Sequence, residues 1–559
     1  MAQKNKNPNA TLPSPKNRSQ YVKIVKKGQV FYKQGDYNQA LKHFTRSWDY
    51  DSKNPGIIKL VAECLFQIGN RNVAINLLAF ALQENPSDPV IISILGNAAL
   101  KMDLFDLSQK FHQIYIQLKP EDPIGYNNYA SALREDGKLD EAINFLQDIL
   151  PLFPEEDILW NTLGSSVAFR DGGAAAIVFY EECLRLNPKN SLALNNITTP
   201  YMSIGEVKKA EEAARKSIAL NPNLAKIHLF LSTLLFSSRR LEEGWKEYQW
   251  RKSEGNITGT IAYNKIPQWQ GEDLTGKKIF IFGEQGIGDE IIFTWLYNEI
   301  IEEAEKVGLA CTTRLVPLFK NSFKKAHVCE YIDRFDSKLD FDLKTFPGTD
   351  ITEYDYICCA GDLARYKWLK YEDIKPSSEA ILHPSEEKMA YWRERIAELP
   401  HKISVGISWR SGITHAKRAR NYTSLLNWQP ILKQKNINFI NIQYGDCAAE
   451  LEELEKETGI KIHNFEDLNL KDDFDGTTAL IKNCDLFIGP GSAPLVQSMC
   501  VGVESWALLS GNPWWCFGEE TPIWQQNMRA FNKTDNDPWE SLLEDCGAEL
   551  KKWLKTKRK

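Results

Sequence analysis

The sequence predicts an α-helical solenoid followed by an α/β half with parallel sheets. Prolines recur at Pro86, Pro120, Pro154, Pro188 and Pro222, a step of 34 residues. The helical period stops after Gly244-Trp245 and Tyr248-x-Trp250-Arg251. Beyond it, short apolar runs alternate with amphipathic stretches, the rhythm of strands joined by helical crossovers.

The first twenty residues are rich in Asn, Pro, Lys and Ser and read as a disordered leader, 1–20. From there to 252 the chain keeps one phase. Small residues fall at Ala40, Ala74, Ser108, Ala142, Ala176, Ala210 and Gly244, and glycines at Gly35, Gly69, Gly137 and Gly205. Trp160, Leu163 and Gly164 form a Trp-x-x-Leu-Gly start. A small residue lets paired helices approach, and a proline stops the second helix because it cannot continue the hydrogen-bond ladder. This is the tetratricopeptide period. Seven repeats are expected, starting near Tyr21, Pro55, Pro89, Pro123, Asp157, Ser191 and Ala225. No repeat can bury its apolar face alone, so neighbours must stack and the stack presents a concave face to a protein partner.

Position five of the first helix should line that face. It is Asn127, Asn161 and Asn195 in three consecutive repeats. An amide offers both donor and acceptor, so such a ladder suits the backbone of an extended peptide. It resembles the asparagine ladder of the protein O-linked N-acetylglucosamine transferase superhelix. Asparagines that merely solvate the groove are the other reading.

A loop and linker are expected over 253–276. Strands follow at Lys278–Phe282, Tyr356–Cys359, Ile403–Ser408, Asn438–Gln443, Asp485–Gly489 and Val503–Leu509, with a further strand region near Leu309 to Leu315. The roughly 300 residues left are enough for two domains. The expected division is 277–385 and 386–559, with the last helix free to cross back.

Three strand-end motifs could carry chemistry. Gly283-Glu284-Gln285-Gly286-Ile287-Gly288-Asp289-Glu290 turns a strand into a helix, aiming backbone amides at a ligand. Its glycines do not have the dinucleotide spacing, and a tight turn capped by Asp289 is the plain alternative. Trp409-Arg410-Ser411-Gly412 opens a loop with His415, Lys417, Arg418 and Arg420, cations that suit phosphate oxygens, with a solvated basic loop as the plain alternative. Gly489-Pro490-Gly491-Ser492-Ala493-Pro494 is a helix start whose free amides would face an anion, with Ser492 as N-cap. Asp340-Phe341-Asp342 and Asp473-Phe474-Asp475 read as solvated or helix-capping acids, and the eight histidines lack metal-ligand spacing. No metal or resident cofactor is expected.

Together these motifs resemble the glycosyltransferase-like domain found after tetratricopeptide repeats in bacterial proteins, itself similar to heptosyltransferases. The resemblance rests on Trp269-x-Gly271, Glu284-Gln285-Gly286-Ile287-Gly288-Asp289, Gly406-Ile407-Ser408-Trp409, Ile442-Gln443 and Asp485-Leu486-Phe487-Ile488, within about Pro267 to Trp553. It implies a GT-B fold of two Rossmann-like domains, the acceptor side first and the nucleotide-sugar side second. It implies Asp289 as general base, with Glu284, Gln285, Gly286 and Gly288 forming the acceptor-site loop. Donor diphosphate would meet Arg410, Ser411, Lys417, Arg418, Arg420, Gly491 and Ser492, and Gln443 would read the base or ribose. The family's Asp-Thr-Gly-Leu-Ser-His helix start is replaced here by Gly489 to Pro494, without its acid and histidine.

The expected function is transfer of a sugar from a nucleotide sugar to hydroxyls of a protein acceptor held by the solenoid. Flagellin-modifying enzymes share the layout, which implies a flagellin-like acceptor. A non-catalytic binding scaffold, or a transferase acting on a glycan or lipid-linked sugar, are the alternatives. The net charge of −6 argues against a general nucleic-acid partner. No apolar stretch suits a membrane span, and eleven scattered cysteines read as reduced buried thiols of a cytoplasmic protein.

Overall fold

The computed structural model describes residues 15–48, 50, 54–254, 266–284, 286–336, 341–411, 422–534 and 537–557. It divides into two compact units, Met1–Glu206 and Val207–Lys559.

The first unit is a helical, tetratricopeptide-like solenoid. Its pairs are Pro15–Lys33 with Tyr37–Trp48, Pro55–Gln67 with Arg71–Glu84, Pro89–Lys101 with Phe105–Leu118, Pro123–Glu135 with Leu139–Ile149, and Asp157–Asp171 with Gly173–Leu186; Ser191–Ser203 follows. The first helix starts at Pro15, inside the segment expected to be a leader, because nothing between Pro15 and Tyr21 breaks it. Three first helices open on proline behind a side-chain cap: Asn54, Asp88 and Asp122 accept from backbone N–H groups one turn in. Gly35, Gly69 and Gly137 take φ near +80°, the left-handed turn that ends each first helix. Asp103 stands at the same phase and reaches φ 59° without being glycine. Ala40, Ala74, Ser108, Ala142 and Ala176 are fully buried where paired helices meet.

The second unit begins with helices Val207–Leu220, Ala225–Ser237 and Leu241–Tyr248. The domain boundary expected at 252 therefore falls earlier. The physical reason is aromatic packing: Trp245 is fully buried, donates its indole N–H to the Trp368 carbonyl at 2.8 Å, and lies 4.4 Å from the Phe236 ring and 6.0 Å from that of Trp514. The last repeat is part of the α/β core, not a spacer before it.

Two five-stranded sheets follow. Strands β1 (Lys278–Phe282), β2 (Lys306–Thr312), β3 (His327–Asp336), β4 (Phe341–Thr345) and β5 (Tyr356–Cys359) lie in the order β4-β3-β2-β1-β5, all parallel except the β3–β4 hairpin. Strands β6 (Ser404–Ile407), β7 (Asn438–Asn441), β8 (Leu486–Pro490), β9 (Ser505–Ser510) and β10 (Met528–Lys533) lie parallel in the order β10-β9-β8-β6-β7. The central strands β1, β6 and β8 are buried almost throughout, as expected for strands covered on both faces. The end of the expected linker joins the first sheet: Gln268 bridges Ile357 in parallel, and Trp269, buried, takes the Ile357 carbonyl at 3.0 Å. The last helix, Trp539–Lys557, does not cross back; Leu543, Cys546 and Leu550 pack with Val405, Ile407 and Trp506 of the second sheet. All eleven cysteines are buried and unbridged. Among the described residues, no helix is long and apolar enough to cross a membrane.

Candidate functional site

In open α/β sheets, ligands bind beyond the carboxyl ends of the strands where the strand order reverses. The first sheet reverses between β1 and β5, and the second between β6 and β8. The three sequence motifs sit at those two points.

At the first, β1 runs into the turn Gly283–Gly286 and the helix Ile287–Ile292. Gly283 has no room for a side chain: a Cβ there would lie 2.5 Å from Glu290 Oε2. Glu284, on the expected acceptor-site loop, turns its side chain into the protein. It is 2% exposed and takes Arg251 Nη2 at 2.9 Å, Arg251 Nε at 3.2 Å, the Gly361 N–H at 2.7 Å and the Cys359 thiol at 2.9 Å. Gln285 lies outside the described residues. Gly286 is the N-cap, and a Cβ there would lie 3.2 Å from Asp289 Oδ2, so the Asp289 carboxylate sits close to the start of its own helix.

Gly288 carries the main geometric result. A Cβ on it would lie 4.0 Å from Ala493 Cα, so the helix after β1 abuts the start of helix Ala493–Cys500 after β8. Asp289, half-buried, is held beside this junction. Burial, and then the Glu284 charge, push its carboxyl up to about 6, while the Arg251 cation pulls the other way. Its neighbour Glu290 is pushed up to about 7 by burial, against the opposing bonds from Tyr331 and the Thr312 N–H (3.1 Å).

At the second reversal, Gln443 is 1% exposed. Its Oε1 accepts from the N–H groups of Trp409 and Arg410, both at 3.0 Å, and its Nε2 donates to the Tyr444 carbonyl at 2.9 Å. It shapes the loop after β6, and it is among the residues that line a cavity of about 440 Å³ with Asn441, Asp446 and Asn464. Arg410 is also engaged: Nε reaches Glu450 Oε1 at 2.8 Å and Nη2 reaches the Asp446 carbonyl at 2.7 Å. These bonds share a cause, since a buried polar group in a loop must find a protein partner. Ser411 Oγ lies 3.4 Å from the Tyr444 hydroxyl. Lys417, Arg418 and Arg420 lie outside the described residues. Ser408 Oγ, at the end of β6, and Ser492 Oγ, at the helix start, are buried without a hydrogen-bond partner. Gly491 is exposed and, with Tyr422, Leu509, Gly511 and Asn512, lines a cavity of about 170 Å³ at the ends of β8 and β9. Of the two acid triplets, Asp473 caps helix Phe474–Lys482 through the Gly476 N–H, and Asp342 lies on β4.

In the first unit the asparagines behave differently from a free ladder. Asn127 Oδ1 accepts from Thr162 Oγ1 at 2.6 Å, and Asn161 Oδ1 accepts from Asn196 Nδ2 at 3.1 Å. Asn161 is 8% exposed, while Asn127 and Asn195 are partly exposed. The first two amides stitch successive repeats together, since each meets a side chain one repeat further on. A cavity of about 430 Å³, lined by Tyr32, Glu63, Phe66, Ile94, Asn97 and Lys101 among others, lies on the earlier repeats.

Sequence reasoning missed Arg251 and Asp362, which meet at 2.8 Å beneath the Asp289 turn. The only local hint was Arg251 standing where the helical period ends.

The tetratricopeptide repeat family matches residues 31–89. The chain is similar to Protein FlbA of Caulobacter vibrioides (strain ATCC 19089 / CIP 103742 / CB 15), with 32% identity over 369 residues, 63% of this chain and 60% of that protein. It thus spans less than two thirds of that relative's length. Among solved structures, MamA 41-end from Desulfovibrio magneticus RS-1 is 18% identical with a TM-score of 0.27, covering 32% of this chain and 99% of that one. A tetratricopeptide repeat protein from Parabacteroides merdae is 11% identical with a TM-score of 0.33, covering 44% of this chain and 96% of that one.

Proposed function

We propose that the second unit is a GT-B-type glycosyltransferase and that the repeats present its protein acceptor, a flagellin-like chain in the first instance, in the cytoplasm. The observation that carries this reading is the approach of Gly288 to Ala493, which sets the Asp289 turn beside the start of helix Ala493–Cys500. Asp289 takes the proton of an acceptor hydroxyl as that oxygen bonds to the anomeric carbon. The bond from that carbon to the diphosphate oxygen breaks, and the negative charge passes to the diphosphate. A carboxyl near pH 6 is basic enough to accept a proton and is still ionised at neutral pH. The positive end of helix Ala493–Cys500, the Ser492 hydroxyl and the loop cations would stabilise the leaving group. The nucleotide sugar is a co-substrate, and no resident cofactor is invoked.

The test is Asp289→Asn. Transfer from a panel of nucleotide sugars should fall by at least about a hundredfold, while donor-induced thermal stabilisation persists. Undiminished transfer sinks the assignment. The engagement of Arg410 by Glu450 favours a second reading, a scaffold with a degenerate transferase fold. Stabilisation by none of the nucleotide sugars would select it.

A further inference from the structure

The segment that leaves the last repeat, Tyr248 to Lys252, enters the first reversal point from below. Arg251 is 8% exposed. Its Nη2 donates both to Glu284 Oε1 at 2.9 Å, on the loop after β1, and to Asp362 Oδ1 at 2.8 Å, on the helix after β5. Lys252 pairs with the other Asp362 oxygen. The guanidinium lies 4.6 Å from the Tyr248 ring centroid. Gly361 is glycine because a Cβ would meet Glu284 Oε1 at 2.5 Å and Arg251 Nη2 at 2.9 Å. Two cations thus face two carboxylates in a buried cluster, and Asp289 is a third acid nearby.

We propose that Arg251 is a positioning residue for the Asp289 turn: delivered by the segment after the last repeat, its planar fork ties the loop after β1 to the helix after β5 and so holds the cleft carboxylate in place. The inference rests on Asp289 being the cleft's base. Nη2 alone bridges the two carboxylates, and Nε adds a second bond to Glu284 at 3.2 Å, so the planar fork fixes the orientation of that carboxylate as well as tying it to Asp362, which a lysine's point charge would not do. The consequence is that the reactive turn is complete only while the repeat's exit segment is docked. The ionisable groups acting on Asp289 are Glu284, Arg251 and Tyr248, with Glu290 on its own helix. Arg251 is the cation among them.

The test needs no transferase activity. A water-soluble carbodiimide with an amine couples to protonated carboxyls, and mass spectrometry of the full chain reads the pH midpoint of labelling at Asp289. Wild type should show a midpoint near 6. Arg251→Met should raise it, and Arg251→Lys should restore it in part. Glu284→Gln should lower it. Where Arg251→Met does not fold, the charge-balanced pair Arg251→Met with Glu284→Gln is compared with Glu284→Gln alone, and its midpoint should be the higher. A midpoint unmoved by loss of the arginine, in either comparison, overturns the proposal. Transfer is measured in parallel: shifted midpoints with no transfer by wild type count against the enzyme reading and leave the role of Arg251 standing.

Discussion

Asp289→Asn should make the second unit more stable at alkaline pH, not less. The carboxyl is raised from 3.8 to about 6, so the fold favours its protonated form. The sign follows: its contribution is fully present below pH 3.8 and is lost as pH rises through about 6. A shift of about two units is about 3 kcal/mol at full strength, from 1.36 kcal/mol per unit. Because the side chain is partly open to water, about 1–3 kcal/mol is the expected penalty at pH 8. Asparagine has nearly the same shape and no charge, so it removes the penalty. Glu290 titrates in both proteins and cancels from the difference. Chemical denaturation of wild type and variant at pH 4 and pH 8 reads the effect. The variant should lead by no more than about 0.6 kcal/mol at pH 4 and by about 1–3 kcal/mol at pH 8. Equal stability at pH 8, or a variant less stable there, would refute the electrostatic account of the site.

Two further outcomes test the scaffold. His112 is fully buried against Gly96, its ring nitrogens have no partner, and burial lowers it to about 4. Its contribution is therefore present above pH 6.5 and is lost as pH falls toward 4, about 3 kcal/mol in all. His112→Phe, which copies the pairing of Phe44 with Gly28, should flatten that loss, read as amide exchange in helix Phe105–Leu118 between pH 7 and 4. Gly361→Ala should destabilise the second unit by about 1–3 kcal/mol in urea melts, because the new methyl meets Glu284 and Arg251 and neither can move without breaking the cluster.

The repeats were legible because each position is constrained many times over. A 34-residue phase fixes the small residues, the glycines and the prolines together, and Asp103 shows that the fold holds the phase where the residue type lapses. The central strands were legible as continuous apolar runs. Strands β3, β4 and β10 were not, because edge and near-edge strands keep polar side chains, as in Arg529 and Asn532 on β10. The glycine turns announced the two reversal points, but not which side chains face the ligand. Glu284 and Gln443 have the chemistry of ligand-binding residues and are consumed by the protein's own loops. Arg251 finds its partners 33 and 111 residues away, and separations of that kind leave no local pattern to read.

The burial of Trp245 bears on how such chains can be recombined. Exchange of repeats between related proteins has its natural seam upstream of Val207, since a cut after 252 would strip an indole and a guanidinium from the second unit's own interior. Repeats can be inserted or deleted in 34-residue units before that seam. The length of the stack can then vary while the last repeat is inherited with the α/β unit it is packed into.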